Sequence, residues 1–431
     1  MRPSSGPAAR YGDTPPVTRR SALAAALGGL AATLGPALGQ EQAGPKLRRG
    51  ISVWPWFSLT TEYPAPRTDY AWPPFQERRP VPTRDDLHRL AQTGLDFIRI
   101  PVDPGPFLSF EGTLRTRLLD QLDAAVAMGL AAGLDVVVNL QINEATHHWN
   151  GARLIAGPQA PSFPAYKALA AEIARRMRAV HPRRIVLEPV NEPPQECGSP
   201  VWHAVQREIL SAARAAAPGL TLTITGGCGS MVPGLDALDP APLRSFGPLV
   251  TIVHFYEPYL FTHQGAPWMR GEPIYRALNA VPWPSSAGSL EHTLAAVRRR
   301  MAADRERSPA DKAAAYAETE AKLREYFDAR PDRLFLVHGL SAVRDWAQRH
   351  RIDPGRILIG EFGALRSDAR YVAAGAADRA RYIRDLRETI EGYGFGWAFW
   401  NLFDGFGLVT DDVSRAFDPA IVAALGLRMP N

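Results

Sequence analysis

Eight short runs of apolar and β-branched residues recur along this chain, and between them the apolar residues fall at helical spacing. The runs are Gly50 to Trp54, Phe97 to Val102, Leu134 to Leu140, Arg184 to Val190, Thr221 to Thr225, Leu249 to Phe255, Arg356 to Glu361 and Gly396 to Leu402. The segments Thr83 to Thr93, Leu118 to Gly133, Pro164 to Val180, Val201 to Ala217 and Ala376 to Tyr393 read as helices. Strand alternating with helix implies parallel pairing, because a parallel neighbour is reached only through a crossover. Eight such units predict an α/β fold, a closed (β/α)8 TIM barrel. The rival is an open doubly wound sheet, but the first run leads into Pro55-Trp56-Phe57 and not into a glycine-rich phosphate turn. Most gaps between runs are about thirty to fifty residues, whereas about a hundred separate the sixth from the seventh. This predicts an insertion at about 259–352. Its second half, Glu291 to His350, is rich in Ala, Arg and Glu and predicts two or three helices, while its first half predicts an extended loop over the barrel mouth. The prolines between Pro55 and Pro82 predict rigid surface loops.

Charge narrows the partners. The 49 basic and 44 acidic groups leave +5, and Arg2, Arg10, Arg19 and Arg20 less Asp13 place +3 of it in the first 39 residues. A remainder of about +2 makes no phosphate-tracking surface, so nucleic acid is excluded. The leading segment reads as an export signal: Thr18-Arg19-Arg20-Ser21 precedes an uncharged Ala/Leu run from Ala22 to Leu38, which ends in small residues. The paired arginines are twin-arginine-like. An uncleaved anchor is the alternative, for which the run is short. The expected organisation is therefore a signal over residues 1–39 and a single catalytic domain over 40–431. That domain should be exported to the periplasm or medium, without stable membrane insertion, and monomeric. Two cysteines, Cys197 and Cys228, are too few for a disulfide scaffold and wrongly spaced for zinc, which leaves one bridge or two buried thiols open.

In such a barrel chemistry belongs to the carboxyl ends of the strands. The second run ends at Ile98-Arg99-Ile100-Pro101, the fourth at Asn191-Glu192-Pro193-Pro194, the sixth at His254-Phe255-Tyr256-Glu257-Pro258, the seventh at Gly360-Glu361-Phe362-Gly363 and the eighth at Trp400-Asn401. Glu192 and Glu361 would then face each other across one mouth. Paired carboxylates are what glycoside hydrolysis needs, one group to protonate the leaving oxygen and one to meet the anomeric carbon.

These motifs, together with Phe261 to Ala266, Trp268 and Trp397-Ala398-Phe399-Trp400-Asn401, resemble glycoside hydrolase family 5, the cellulase-type retaining enzymes. The resemblance runs from about Gly50 to Leu427 and weakens inside the insertion. It implies Glu192 as acid and base, Glu361 as nucleophile, β-linked glucan or a related polysaccharide as substrate, and no cofactor or metal. Endo-β-1,4-glucanase action is the expected activity, with β-mannanase and β-1,3-glucanase, endo or exo, as alternatives within the family. A barrel that binds carbohydrate without cleaving it, and an enzyme that trims surface polysaccharide during its synthesis, are the readings from other classes.

Around the pair, Asn191 can bond a sugar 2-hydroxyl, and Arg99 and Tyr256 can hold Glu361 ionised. His254 shares a strand face with Tyr256 and can support the acid or bind a hydroxyl. Trp400 offers a stacking face, and Trp54, Trp56, Trp149, Trp268 and Trp283 are candidates for outer subsites. Bland roles compete: Glu192 suits the first turn of a helix, and Arg99 could brace the barrel. One departure stands out. Family members carry a histidine after the third strand, whereas this chain reads Val138-Asn139-Leu140-Gln141. Either His147 or His148 replaces that ring from the loop, or Gln141 supplies the contact.

Overall fold

The computed structural model describes residues 44–269, 272 and 274–430; the expected signal over residues 1–39 lies outside them. Ten strands are present among the described residues: β1 Arg49–Ser52, β2 Thr60–Glu62, β3 Tyr70–Phe75, β4 Phe97–Val102, β5 Asp135–Leu140, β6 Ile185–Glu188, β7 Thr221–Thr225, β8 Leu249–His254, β9 Ile357–Phe362 and β10 Gly396–Phe399. Eight of them close into a barrel in the order β1-β10-β9-β8-β7-β6-β5-β4, every pairing parallel and β4 returning to β1. These eight are the runs read from the sequence, and the fold is a (β/α)8 barrel.

Helix boundaries follow from local chemistry. Helix Arg84–Thr93 starts where Thr83 and Asp86 form a reciprocal capping box and stops at Gly94, whose φ of 98° suits only a residue without a side chain. Along the strands, alternate residues divide between two cores. Phe97, Val137, Val186, Val250, Ile252, Leu358 and Ala398 pack inside the barrel, while Ile98, Val136, Val138, Leu187, Val253 and Ile359 pack outward against the helices. The inner layer is tight: a Cβ on Gly50 would lie 2.2 Å from the Phe97 ring. This largely apolar plug makes the barrel a solid base, and the charged side chains of the interior gather above it.

The second half of the insertion holds three helices, Leu290–Ala303, Pro309–Ala329 and Arg333–His350, as its composition predicts. The last of them docks on the barrel through buried Trp346, whose indole N–H donates to the Leu238 carbonyl at 2.9 Å. The proline-rich stretch after β1 is more regular than expected, because β2 and β3 form an antiparallel hairpin that accommodates Pro73 and Pro74. No helix among the described residues is long and apolar enough to cross a membrane.

Candidate active site

One step above the plug, the inward positions turn from apolar to charged. Arg99 on β4, Asn139 on β5 and Glu188 on β6 are all fully or almost fully buried, and so is His254 on β8. A local irregularity brings the remaining partner into this layer. Val253 pairs with Ile359, but His254 pairs with Glu361, so β9 carries one extra residue at Gly360. The bulge re-aims Glu361 inward, opposite His254. Gly360 is suited to this place, since a Cβ there would come within 2.8 Å of Ile252.

Arg99 is the hub. Its guanidinium donates from Nε and Nη2 to the two oxygens of Glu188, at 2.7 and 2.8 Å, and from Nη1 to Glu361 Oε1 at 2.7 Å. Nη2 also reaches Asn191 Oδ1 at 2.5 Å. The other oxygen of Glu361 accepts from the Tyr256 hydroxyl at 3.1 Å. Burial pushes the Glu361 carboxyl above its ordinary 4.5; the charges of His254 and Arg99 oppose this, and those of Glu192 and Glu188 add to it.

Glu192 stands apart in exposure, with 43% of its side chain open to solvent against 6% for Glu361. Its Oε1 lies 2.6 Å from His254 Nδ1. Burial alone would raise this carboxyl, but the hydrogen bond and charge of His254, with the charge of Arg99, bring it below its ordinary value. His254 moves the opposite way: burial pulls it down, and the charges of Glu361 and Glu192 lift it above 6.5. Glu192 and His254 thus form a couple that shares a proton. Oxygens of Glu192 and Glu361 and a ring nitrogen of His254 lie within 4.8 Å of one another, close enough that the three could also hold a cation.

The loop bearing Glu192 is held from outside. Ser230 Oγ donates to the Asn191 carbonyl at 2.8 Å, Gly229 N to that of Pro193 at 2.9 Å and Cys228 N to that of Gln195 at 2.6 Å. Cys228 and Cys197 are joined by a disulfide, with Cα atoms 4.9 Å apart, which resolves the alternative left by the sequence in favour of the bridge.

A cavity of about 480 Å³ opens beside the pair, between Glu192, Asn191, Gln141, Asn143, Asp103 and Trp54. Gln141 lines it with a buried Oε1 that has no protein partner. Trp54 and Trp400 flank the mouth with ring centroids 6.3 Å apart. On the far side Trp268, 45% exposed, packs its edge on Tyr371 and Phe406, and Phe406 in turn touches Tyr256. Other sequence candidates lie elsewhere. His147 contacts Glu62 and the Arg67 carbonyl, and the His148 backbone N–H also faces Glu62, so both belong to a latch between the β2–β3 hairpin and the loop after β5. Trp149 anchors the same latch through the Thr68 carbonyl. Trp56 and Trp283 are core residues, 6% and 0% exposed, because their rings are covered by packing that no spacing rule reveals.

Sequence reasoning missed Glu188 and Asp103. A lone acid inside the apolar run Ile185-Val186-Leu187-Glu188 was the available signal for the first, since a buried charge requires a partner. Asp103 is 2% exposed, accepts from Thr60 and more distantly from Asn143, and is pushed up by burial to about 6.

A closed barrel with two carboxylates and a cationic hub at its carboxyl end defines a hydrolytic barrel enzyme, and comparison with known proteins carries this to a family. The sequence pattern of the family "Cellulase (glycosyl hydrolase family 5)" matches residues 60–405. A curated relative, Endoglucanase 3 of Fibrobacter succinogenes, is 24% identical over 161 residues, which is 37% of this chain. The match spans only 21% of that relative's length. Among solved structures, endoglucanase Cel5A of Thermotoga maritima superposes with a TM-score of 0.62 at 20% identity, over 88% of this chain and 96% of that one. The cellulose synthase subunit Z of Clostridioides difficile gives 0.61 at 19% identity, over 88% and 99%. The chain belongs to glycosyl hydrolase family 5, the cellulase family. It is a glycoside hydrolase of the cellulase type, and the family implies a polysaccharide substrate.

Proposed function

We propose that the chain is an endo-β-1,4-glucanase that hydrolyses its substrate with retention, by double displacement. The observation that carries the retaining mechanism is the approach of the two carboxylates. Oxygens of Glu192 and Glu361 within 4.8 Å suit a covalent intermediate, for which the groups stand about 5–5.5 Å apart, and leave no room for the water that inversion places between them. In the first step a Glu361 oxygen bonds the anomeric carbon while the bond to the leaving oxygen breaks and that oxygen takes the proton of Glu192. In the second, Glu192 accepts a proton from water, whose oxygen displaces Glu361 from the same carbon. In the free site the shared proton rests on the His254 side of the couple. A bound sugar covers the exposed Glu192, and the loss of water raises its carboxyl and returns the proton to it.

Arg99 and Tyr256 orient Glu361, Asn191 and Gln141 bind sugar hydroxyls, and Trp400 stacks on the ring beside the cleaved bond, with Trp54 and Trp268 serving outer subsites. The relatives named as endoglucanases support β-1,4-glucan as the polymer. A disulfide supports export, because such bonds persist in oxidising compartments, and we read residues 1–39 as the signal and 40–431 as a single, monomeric catalytic domain. The test is hydrolysis of carboxymethyl cellulose, mixed-linkage glucan, laminarin and mannan by the chain and its Glu361→Ala variant. Cleavage of β-1,4-glucan by the wild type alone is expected; preference for mannan or laminarin would move the substrate, and equal activity of the variant would remove Glu361 from the chemistry.

A further inference from the structure

The charge of Arg99 is divided between two buried carboxylates, and only one of them can meet a sugar. Glu188 is 1% exposed, and both of its oxygens are occupied by Arg99, at 2.7 and 2.8 Å, whereas Glu361 receives a single N–H at 2.7 Å. Among the described residues no second cation pairs with Glu188. Its neighbour across the sheet is Asn139, whose amide has no protein partner, and nearby Tyr166, on the helix Phe163–Val180, spends its hydroxyl on the Pro189 carbonyl. We propose that Glu188 is a positioning residue for the nucleophile: by holding two edges of Arg99 it limits the positive charge that reaches Glu361 and so preserves the power of that carboxylate to attack. This rests on the assignment of Glu361 as nucleophile.

The reasoning is electrostatic. Arg99 (+1), Glu188 (−1) and Glu361 (−1) leave the hub one negative charge in excess, which the Glu192–His254 couple, neutral as a pair, faces from the mouth without cancelling, with Tyr256 as the remaining titratable group in contact. Removing the charge of Glu188 would leave Arg99 neutralised by Glu361 alone. A carboxylate so stabilised is a weaker base and, by Brønsted behaviour, a weaker nucleophile. The charge of Glu188 is indeed among the influences that lift the Glu361 carboxyl. If Glu188 served only to brace Arg99, its loss would let the guanidinium drift, and Glu361 would lose its cation. The two roles therefore predict shifts of opposite sign.

The experiment measures kcat/KM against pH for an aryl β-cellobioside, which isolates the first chemical step, in wild type, Glu188→Gln and Glu188→Asp. Expected for Glu188→Gln is a plateau about 3–10-fold lower, with KM nearly unchanged and the acid limb moved down by about one pH unit, the scale of one nearby buried charge. Glu188→Asp should return the limb to its wild-type position. An acid limb that stays in place or moves up in Glu188→Gln overturns the proposal. Should Glu188→Gln not fold, Glu188→Asp gives a second test, the pH dependence of inactivation by a 2-deoxy-2-fluoro-cellobioside with a good leaving group. With the charge retained its acid limb should match that of the wild type, and a limb displaced by about one pH unit overturns the proposal. Peptide mapping of the fluoro-sugar label separates the two levels of the argument, since a label on any residue other than Glu361 refutes the nucleophile assignment itself.

Discussion

Replacing both members of the Cys197–Cys228 bridge by serine tests how the acid-bearing loop is held. The bond closes a 31-residue segment between the loops after β6 and β7. Chain-entropy arguments give about 3 kcal/mol for a loop of about 15 residues and about 4.7 for one of about 100, so this bridge should contribute about 3.7 kcal/mol. With an unfolding entropy of about 2.1 cal/mol/K per residue over about 390 residues, the loss corresponds to a Tm lower by about 4–5 °C. A catalytic effect should accompany it. The turn that follows Cys228 supplies Gly229 N and Ser230 Oγ to the carbonyls of Pro193 and Asn191, and the Ser230 carbonyl to His254 N at 2.9 Å. Loosening it blurs the 2.6 Å contact between Glu192 and His254, and kcat should fall by about 3–10-fold, about 0.7–1.4 kcal/mol of lost alignment. Calorimetry and steady-state kinetics of the Cys197→Ser/Cys228→Ser variant give both numbers. A Tm within about 1 °C of wild type would refute the entropic estimate, and a lower Tm with unchanged kcat would refute the claim that the bridge positions Glu192.

Two further outcomes follow from the site. Activity requires Glu361 ionised, so as pH falls it is lost through a limb above the ordinary 4.5. It also requires a proton on the Glu192–His254 couple, so as pH rises it is lost through a limb above 6.5. A profile of kcat/KM with its acid limb below 4.5 or no basic limb would contradict this. Gln141→Ala should raise KM about 2–12-fold, the worth of one neutral hydrogen bond of about 0.5–1.5 kcal/mol. His147→Ala should leave KM within about twofold and lower Tm by loosening the hairpin latch; equal effects of the two variants on KM would refute the placement of Gln141 alone at the sugar.

The barrel was legible because its eight strands, buried on both faces, must be continuous apolar runs, and their polar endings marked the mouth. Glu192 and Glu361 were legible for the same reason. The β2–β3 hairpin was not, since Pro73 and Pro74 argue against a strand, and only an edge pairing that needs no donor there admits them. The bulge at Gly360 was hidden too, because strict alternation from Leu358 would have turned Glu361 outward; register with β8 is a property of two strands, not one. Glu188 lay inside a run otherwise read as core, and its pairing with Arg99 spans 89 residues, beyond any local pattern. The bond between Cys197 and Cys228 depended on how close two loops come, which sequence spacing left open.

The most direct test of the account is azide rescue of Glu361→Ala on an activated aryl β-cellobioside, with the product configuration read by NMR. Removal of the nucleophile opens the face of the anomeric carbon that Glu361 occupied, and azide attacking from that face gives the α-glycosyl azide. The account predicts an inactive variant rescued with that inverted product. A β-glycosyl azide would contradict it, since that product arises when the acid and base has been removed, and the roles of Glu192 and Glu361 would have to be exchanged.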